Sequence, residues 1–223
     1  MTSDREERNR RRLVEKARFL FFAEGFAALG MEGIADRLGV SKVTLYKYFP
    51  NKQGLVSAVV DLQMSDIGTR LEELNKPGQA FPERFSALLG TIFETIGPSL
   101  RRFVPDILRD APWEWEKIAS FRRQRVFTLL EAILGQGVRQ GMIRNDIPVT
   151  ALAPLLIALI EQVGRPEVLS GLPFSMEQTV RSFAGILLQG ILSEGGRREL
   201  ERVGSNIHRT PRLSGGAEGN VPL

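Results

Sequence analysis

The most constraining feature of this chain is residues 31 to 50, MEGIADRLGVSKVTLYKYFP. Ile34, Ala35 and Leu38 repeat at helical spacing, Gly39 interrupts, and Ser41 stands where an N-cap opens a second helix with Leu45, Tyr48 and Phe49 on its apolar side. The pattern predicts two short helices joined by a tight turn. Ala35 is small enough for a close helix crossing, Gly39 supplies the positive φ of the turn, and Val40 and Leu45 fill the angle between the helices. This is a helix-turn-helix signature, and the charge pattern agrees with it. From Arg37 to Val60 there is no Asp or Glu, whereas Arg37, Lys42, Lys47 and Lys52 are cationic, so the segment meets phosphates without carboxylate repulsion.

The signature is specific enough to point to a family. Gly25-Phe26, Ile34-Ala35, Gly39-Val40-Ser41-Lys42, Thr44-Leu45-Tyr46, Tyr48-Phe49 and Lys52 resemble the N-terminal motif of the tetracycline-repressor (TetR) family of bacterial transcriptional regulators. The resemblance covers about the first 60 residues and departs at two places. Leu29-Gly30 stands where the family often opens the second helix with Thr or Ser, leaving Gly30 as a weaker cap. Val43 replaces a frequent Gly in the recognition helix, and its methyl groups suit a thymine methyl in the major groove.

Composition narrows the remaining possibilities. With 223 residues and 43% hydrophobic content the chain has ample material for a buried core. It has no Cys and one histidine, His208, which argues against disulfides, thiol catalysis and Cys/His zinc sites. The N-terminus lacks an apolar signal region, and the apolar stretch Ile147 to Ile160 is too short for a membrane span and holds Pro148 and Pro154, so the expected location is cytoplasmic. Residues 1 to 52 carry 11 Lys/Arg against 7 Asp/Glu, while residues 53 to 223 carry 19 of each. All of the +4 net charge therefore falls on the helix-turn-helix part, the bias that attraction to nucleic acid requires.

In chain order, Leu13, Ala17, Leu20 and Phe21 form the stripe of a first helix ended by Gly25. Arg5, Arg8, Arg10, Arg11 and Arg12 open it, either as an arm toward DNA or as a solvated terminus offset by Glu6, Glu7 and Glu15. Pro50 and Asn51 stop the recognition helix and start a fourth, about 52 to 75, shared by both halves of the molecule. Beyond the break at Lys76-Pro77-Gly78, segments 81 to 96, 98 to 110, 113 to 140, 149 to 163 and 176 to 194 read as helices. The expected class is all-α, with a three-helix DNA-binding domain at 1–52, a helical-bundle ligand-binding and dimerisation domain at 53–203, and a disordered tail at 204–223.

Phe93, Phe103, Trp113, Trp115, Phe121 and Phe127 are the candidate lining of an apolar or aromatic effector pocket, although aromatics at helical spacing equally suit plain core. The helix from Pro148 to Val163 has almost no polar face, and the one opened by Ser175 has an apolar band to Leu192 before Gly195-Gly196 ends it. Such faces suit either enclosure within one subunit or pairing with a second copy. The family resemblance implies pairing, through a four-helix bundle, and implies that the fourth helix transmits effector binding to the DNA-reading heads.

Catalysis has no evident residue set. There is no P-loop, Gly135-Gln-Gly137 with Gly141 lacks dinucleotide spacing and reads as a fraying helix end, and His208 lies in the tail. No enzyme activity, cofactor or metal is expected. The chain reads as a ligand-responsive repressor binding an inverted-repeat operator as a homodimer; the alternative is a small-molecule carrier with a vestigial helix-turn-helix. Lys42, Val43, Thr44 and Lys47 are placed at base edges, and Ser41, Tyr46, Tyr48 and Lys52 at phosphates.

Overall fold

A computed structural model describes residues 2–76, 78–91, 99, 102–163 and 176–204. The described segments are helical: α1 (Thr2–Glu24), α2 (Met31–Leu38), α3 (Lys42–Tyr48), α4 (Lys52–Leu74), α5 (Phe81–Thr91), α6 (Phe103–Asp110), α7 (Pro112–Phe121), α8 (Phe127–Arg139), α9 (Val149–Val163), α10 (Met176–Ile191) and α11 (Glu194–Gly204). A π-helical turn, Arg122–Val126, joins α7 to α8. The fold class is all-α, and the only β pairing among the described residues is one isolated bridge, Ile143 to Leu192.

Two buried clusters organise these helices, and α4 enters both. Toward the N-terminus, Leu13, Ala17 and Phe21 of α1 meet Ile34 and Leu38 of α2, Leu45 of α3, and Leu55, Val56 and Val59 of α4. In the second cluster the far end of α4, with Ile67, Leu71 and Leu74, packs on Phe81 and Phe85 of α5, Ile133 and Leu134 of α8, and Leu152 and Leu156 of α9. Successive turns of α4 thus place apolar residues in different cores, because a helix of 23 residues is about 35 Å long.

Helix α6 departs from the order of the sequence. Phe103, Ile107 and Ala111 are buried in the first cluster, with the Phe103 ring 6.2 Å from Phe21, 5.2 Å from Phe22 and 5.7 Å from Phe26. A segment read from sequence as part of the second half thus completes the core of the first.

Two local expectations are corrected, and a third, left open between two readings, is narrowed. Gly135 and Gly137 lie inside α8, and a Cβ on Gly137 would stand 2.7 Å from Phe81, so Gly137 serves close packing and the pair does not mark a fraying end. The helix before Gly195-Gly196 stops earlier, after Ile191; Ser193 Oγ then accepts a 3.0 Å hydrogen bond from Gly196 N–H and α11 continues through both glycines. The N-terminal arginines belong to a continuous helix from Thr2, with Arg8 paired to Asp4 and Arg11 to Glu15. Ser175, His208 and the tail from 205 onward lie outside the described residues.

Candidate nucleic-acid interface

The corner between α2 and α3 is built as a tight helix exit followed by a capped helix start. Gly39 takes φ 68° and ψ 41°, a conformation open to glycine at little cost, and the Val40 N–H donates to Ala35 O at 3.0 Å. Two residues later Ser41 is extended, and its Oγ accepts from Thr44 N–H at 3.1 Å while lying 2.8 Å from Thr44 Oγ1. Gly30 caps α2 through its backbone only, the Ile34 N–H donating to Gly30 O at 3.0 Å. Beneath, Leu45 and Phe49 are buried and bolt α3 to the three-helix core.

This anchoring leaves one side of α3 facing outward. Val43 is 80% exposed, an unusual state for an aliphatic side chain, and Tyr46 is exposed beside it. Ser41, Lys42, Thr44 and Lys47 share that exposure, and Tyr48 is half-buried with Lys47 Nζ 5.4 Å from its ring centroid. A short rigid helix presenting methyl, hydroxyl and ammonium groups has the donors and apolar surface that major-groove edges and phosphates accept.

Both α3 lysines carry carboxylate partners in the free chain. Lys42 Nζ lies 2.5 Å from Glu32 Oε1 of α2, and Lys47 Nζ lies 2.7 Å from Glu6 Oε1 of α1. The hydrogen bond from Lys47 holds the Glu6 carboxyl below its ordinary range, and Glu6 in turn raises Lys47; Glu32 does the same for Lys42. These pairs are exposed, so an approaching phosphate can replace the carboxylate at small cost. Arg10 of α1 adds a guanidinium 5.1 Å over the Phe49 ring, bracing the end of α3.

Lys52 corrects the expectation of a phosphate contact. Its ammonium turns inward and donates to Phe26 O at 3.2 Å, Ala27 O at 3.1 Å and Leu29 O at 3.0 Å. An ammonium has three donors, and all three are engaged. Lys52 therefore ties α4 to the loop between α1 and α2.

The five described aromatics of the candidate set do not share one pocket. Phe103 is core beside α1, Trp115 packs against the same cluster, and Phe121 and Phe127 pack against the second. Trp113 is 48% exposed at the start of α7, and Phe93 lies outside the described residues. A depression of about 400 Å³ is bordered by polar groups including Lys76, Arg84, Glu131, Gln136 and Arg139, and none of the five described aromatics lines it. Near the expected location, sequence reading passed over Glu114: it is buried on α7, its Oε2 accepts no hydrogen bond, and Lys117 Nζ stands 3.8 Å away. Among the described residues no helix is long and apolar enough to cross a membrane, and no group of His, Asp or Glu side chains is arranged to hold a metal ion.

Comparison with known proteins agrees with this geometry. The family model for bacterial regulatory proteins of the tetR family matches residues 13–59, from α1 into the first turns of α4. The fatty acid metabolism regulator protein of Bacillus subtilis is 20% identical over 181 residues, spanning 80% of this chain and 93% of that protein. The transcriptional activator FasR of Mycolicibacterium smegmatis is 33% identical over 92 residues, 41% of this chain and 42% of its own. Among solved structures, a transcriptional regulator from Saccharomonospora viridis in complex with choline superposes with TM-score 0.65 at 20% identity, covering 84% of this chain and all of that one. Residues 13–59 thus carry the helix-turn-helix segment of the tetR family of bacterial regulatory proteins, and over most of its length the chain is similar to helix-turn-helix transcriptional regulators.

Proposed function

We propose that the chain is a homodimeric repressor that reads an inverted-repeat operator through two copies of α3 and is released by a small-molecule effector. The observation that carries this reading is the outward face of α3: Lys42, Val43, Thr44 and Lys47 are exposed on a helix whose opposite side is fully packed, the arrangement that reading base edges requires. Ser41, Tyr46 and Tyr48 flank that face and suit phosphate contacts that set register.

Pairing is supported by the far end of the molecule. Leu155 and Leu159 of α9 and Ile186 of α10 are exposed large aliphatics, with Ile186 at 70%. Burying them against the same helices of a second copy would relate two heads by a two-fold axis, and a two-fold pair of heads reads an inverted repeat. A repressor needs nothing further, since occupancy of a promoter blocks it. One relative is an activator, and a promoter–reporter assay with and without the protein reads the sign directly.

We infer that an effector acts along α4, near Trp115 and Phe121, which pack on its two successive clusters. Phe121 lies 3.8 Å from the position a Cβ on Gly68 would occupy, so a ligand displacing α7 acts directly on α4. The buried Glu114 and the adjoining π-helical turn are the kinds of stored cost that a ligand site relieves. The names of the comparison proteins suggest the first compounds to try, fatty acids and quaternary amines. The carrier reading gains no support from an open depression bordered by charged and amide side chains.

The test is selection of bound fragments from sheared genomic DNA, followed by a mobility-shift titration of the most enriched fragment with and without each compound. Enrichment of an inverted repeat, lost on adding one compound class, is the expected result. Uniform weak retention of all fragments rejects the reading.

A further inference from the structure

We propose that Asp106 is a positioning residue for DNA reading: its carboxylate, carried by α6, sets the corner between α1 and α2 and thereby the pose of the helix-turn-helix. The corner runs from Gly25 to Gly30, and its peptide groups point at two side chains of opposite charge. On one side, Asp106 Oδ2 accepts from Phe26 N–H at 2.6 Å and from Ala27 N–H at 2.9 Å. On the other, Lys52 of α4 donates to the carbonyls of Phe26, Ala27 and Leu29. The peptide unit joining Phe26 to Ala27 is thus gripped at its N–H by an anion and at its C=O by a cation, and the units on either side of it are held at one end each.

The fit is close and dry enough to matter. The Asp106 side chain is 14% exposed, and hydrogen bonds to a charged group in such a site are among the stronger ones a fold makes. Its Oδ1 accepts from Arg109 at 3.1 Å, which fixes the carboxylate plane. Gly25 has φ 82°, and a Cβ there would stand 2.5 Å from Asp106 Oδ2, so this corner admits the carboxylate only because the residue before it has no side chain. Phe103, one turn earlier on α6, sits among Phe21, Phe22 and Phe26 and seats the helix in the same place.

Because α1 leaves the corner on one side and α2 on the other, the angle between them is set where Asp106 and Lys52 hold the chain. Moving α6 relative to α4 pulls anion and cation apart across the corner and tilts α2 and α3 against α1. Binding of the operator then depends on a residue that never touches DNA. This rests on the proposed operator reading for its DNA arm, but the clamp itself is read without DNA.

The experiment compares wild type with Asp106→Ala and Asp106→Asn in the full chain. Amide hydrogen exchange should show Phe26 and Ala27 protected in the wild type, with exchange at least about tenfold faster in D106A while the amides of α4 from Leu55 to Val60 stay protected. Affinity for the genomic fragment enriched by the wild type should fall about tenfold, whereas affinity for sheared calf-thymus DNA stays within about twofold. D106N, which keeps an acceptor oxygen, should restore both, an outcome that mere loss of packing or charge does not give. If D106A does not fold, protection of both amides in the wild type and in D106N decides the matter. Wild-type exchange at the rate of an exposed loop amide overturns the proposal, as does D106A binding the enriched fragment like wild type. Should the wild type enrich no fragment, the operator reading fails and the exchange arm still tests the clamp.

Discussion

Exposed apolar side chains occur at both ends of the molecule, and their surroundings assign them different partners. On α3, Val43 and Tyr46 stand among Lys42, Thr44 and Lys47, in a stretch free of carboxylates from Arg37 to Val60. On α9, Leu155 and Leu159 lie in a run from Val149 to Ile160 with no charge of either sign. A methyl group beside ammonium groups suits DNA, whose grooves combine thymine methyls with phosphates. An uncharged aliphatic face suits another aliphatic face, and the simplest source is a second copy of the chain. Exposure therefore says only that something binds, and the neighbouring charge says what.

The largest effect should come from below the α3 surface. Leu45→Ala removes a fully buried side chain from the junction of α1, α2, α3 and α4, and a loss of about 2–5 kcal/mol in chemical denaturation is expected. A loss under half a kcal/mol would mean that α3 is not bolted to the core. Next, Leu155→Glu puts a charge on the uncharged face. Sedimentation at micromolar concentration should show monomer with wild-type helix content, and an unchanged dimer would remove α9 from the pairing surface.

Two lysines five residues apart should then separate. Lys47→Ala is expected to weaken binding of the enriched genomic fragment by about tenfold, as for one lost base-edge contact, and to shallow the dependence of log affinity on log salt because a cation leaves the interface. Lys52→Met should leave that slope unchanged while costing about 1–3 kcal/mol of stability, because its donors serve carbonyls. Reversal of these two results would return Lys52 to the interface.

The smallest effect concerns Glu6. Glu6→Gln releases Lys47, and affinity for non-specific DNA should rise by about twofold, in keeping with the modest worth of an exposed pair. Acid should act in the same direction. Lys47 depresses the folded-state pKa of Glu6, so what the pair adds to the fold is present above the unfolded pKa and disappears as pH falls through the depressed value. A weakened affinity in E6Q would show that Glu6 aids DNA binding instead of competing with it.

Much of this was legible in the sequence. The turn at Gly39, the cap at Ser41, the bolt at Leu45 and the shared role of α4 are all local patterns, readable because helix periodicity and capping depend on residues three or four apart. The aromatic set was legible only as a composition. Phe103 and Phe121 look alike in the chain, yet they fall in different cores, since the period says which face of a helix is apolar and not what that face meets.

The sequence by itself determined an all-helical chain with a cationic helix-turn-helix and an uncharged apolar face near its other end. Tertiary structure alone decided that Lys52 is an anchor, that α6 belongs to the head, that Glu6 and Glu32 hold the α3 lysines, and that Asp106 meets the loop 80 residues before it. The reason is physical: a charged side chain acquires its role from whatever donor or acceptor lies within about 3 Å, and over such separations along the chain only packing chooses that neighbour.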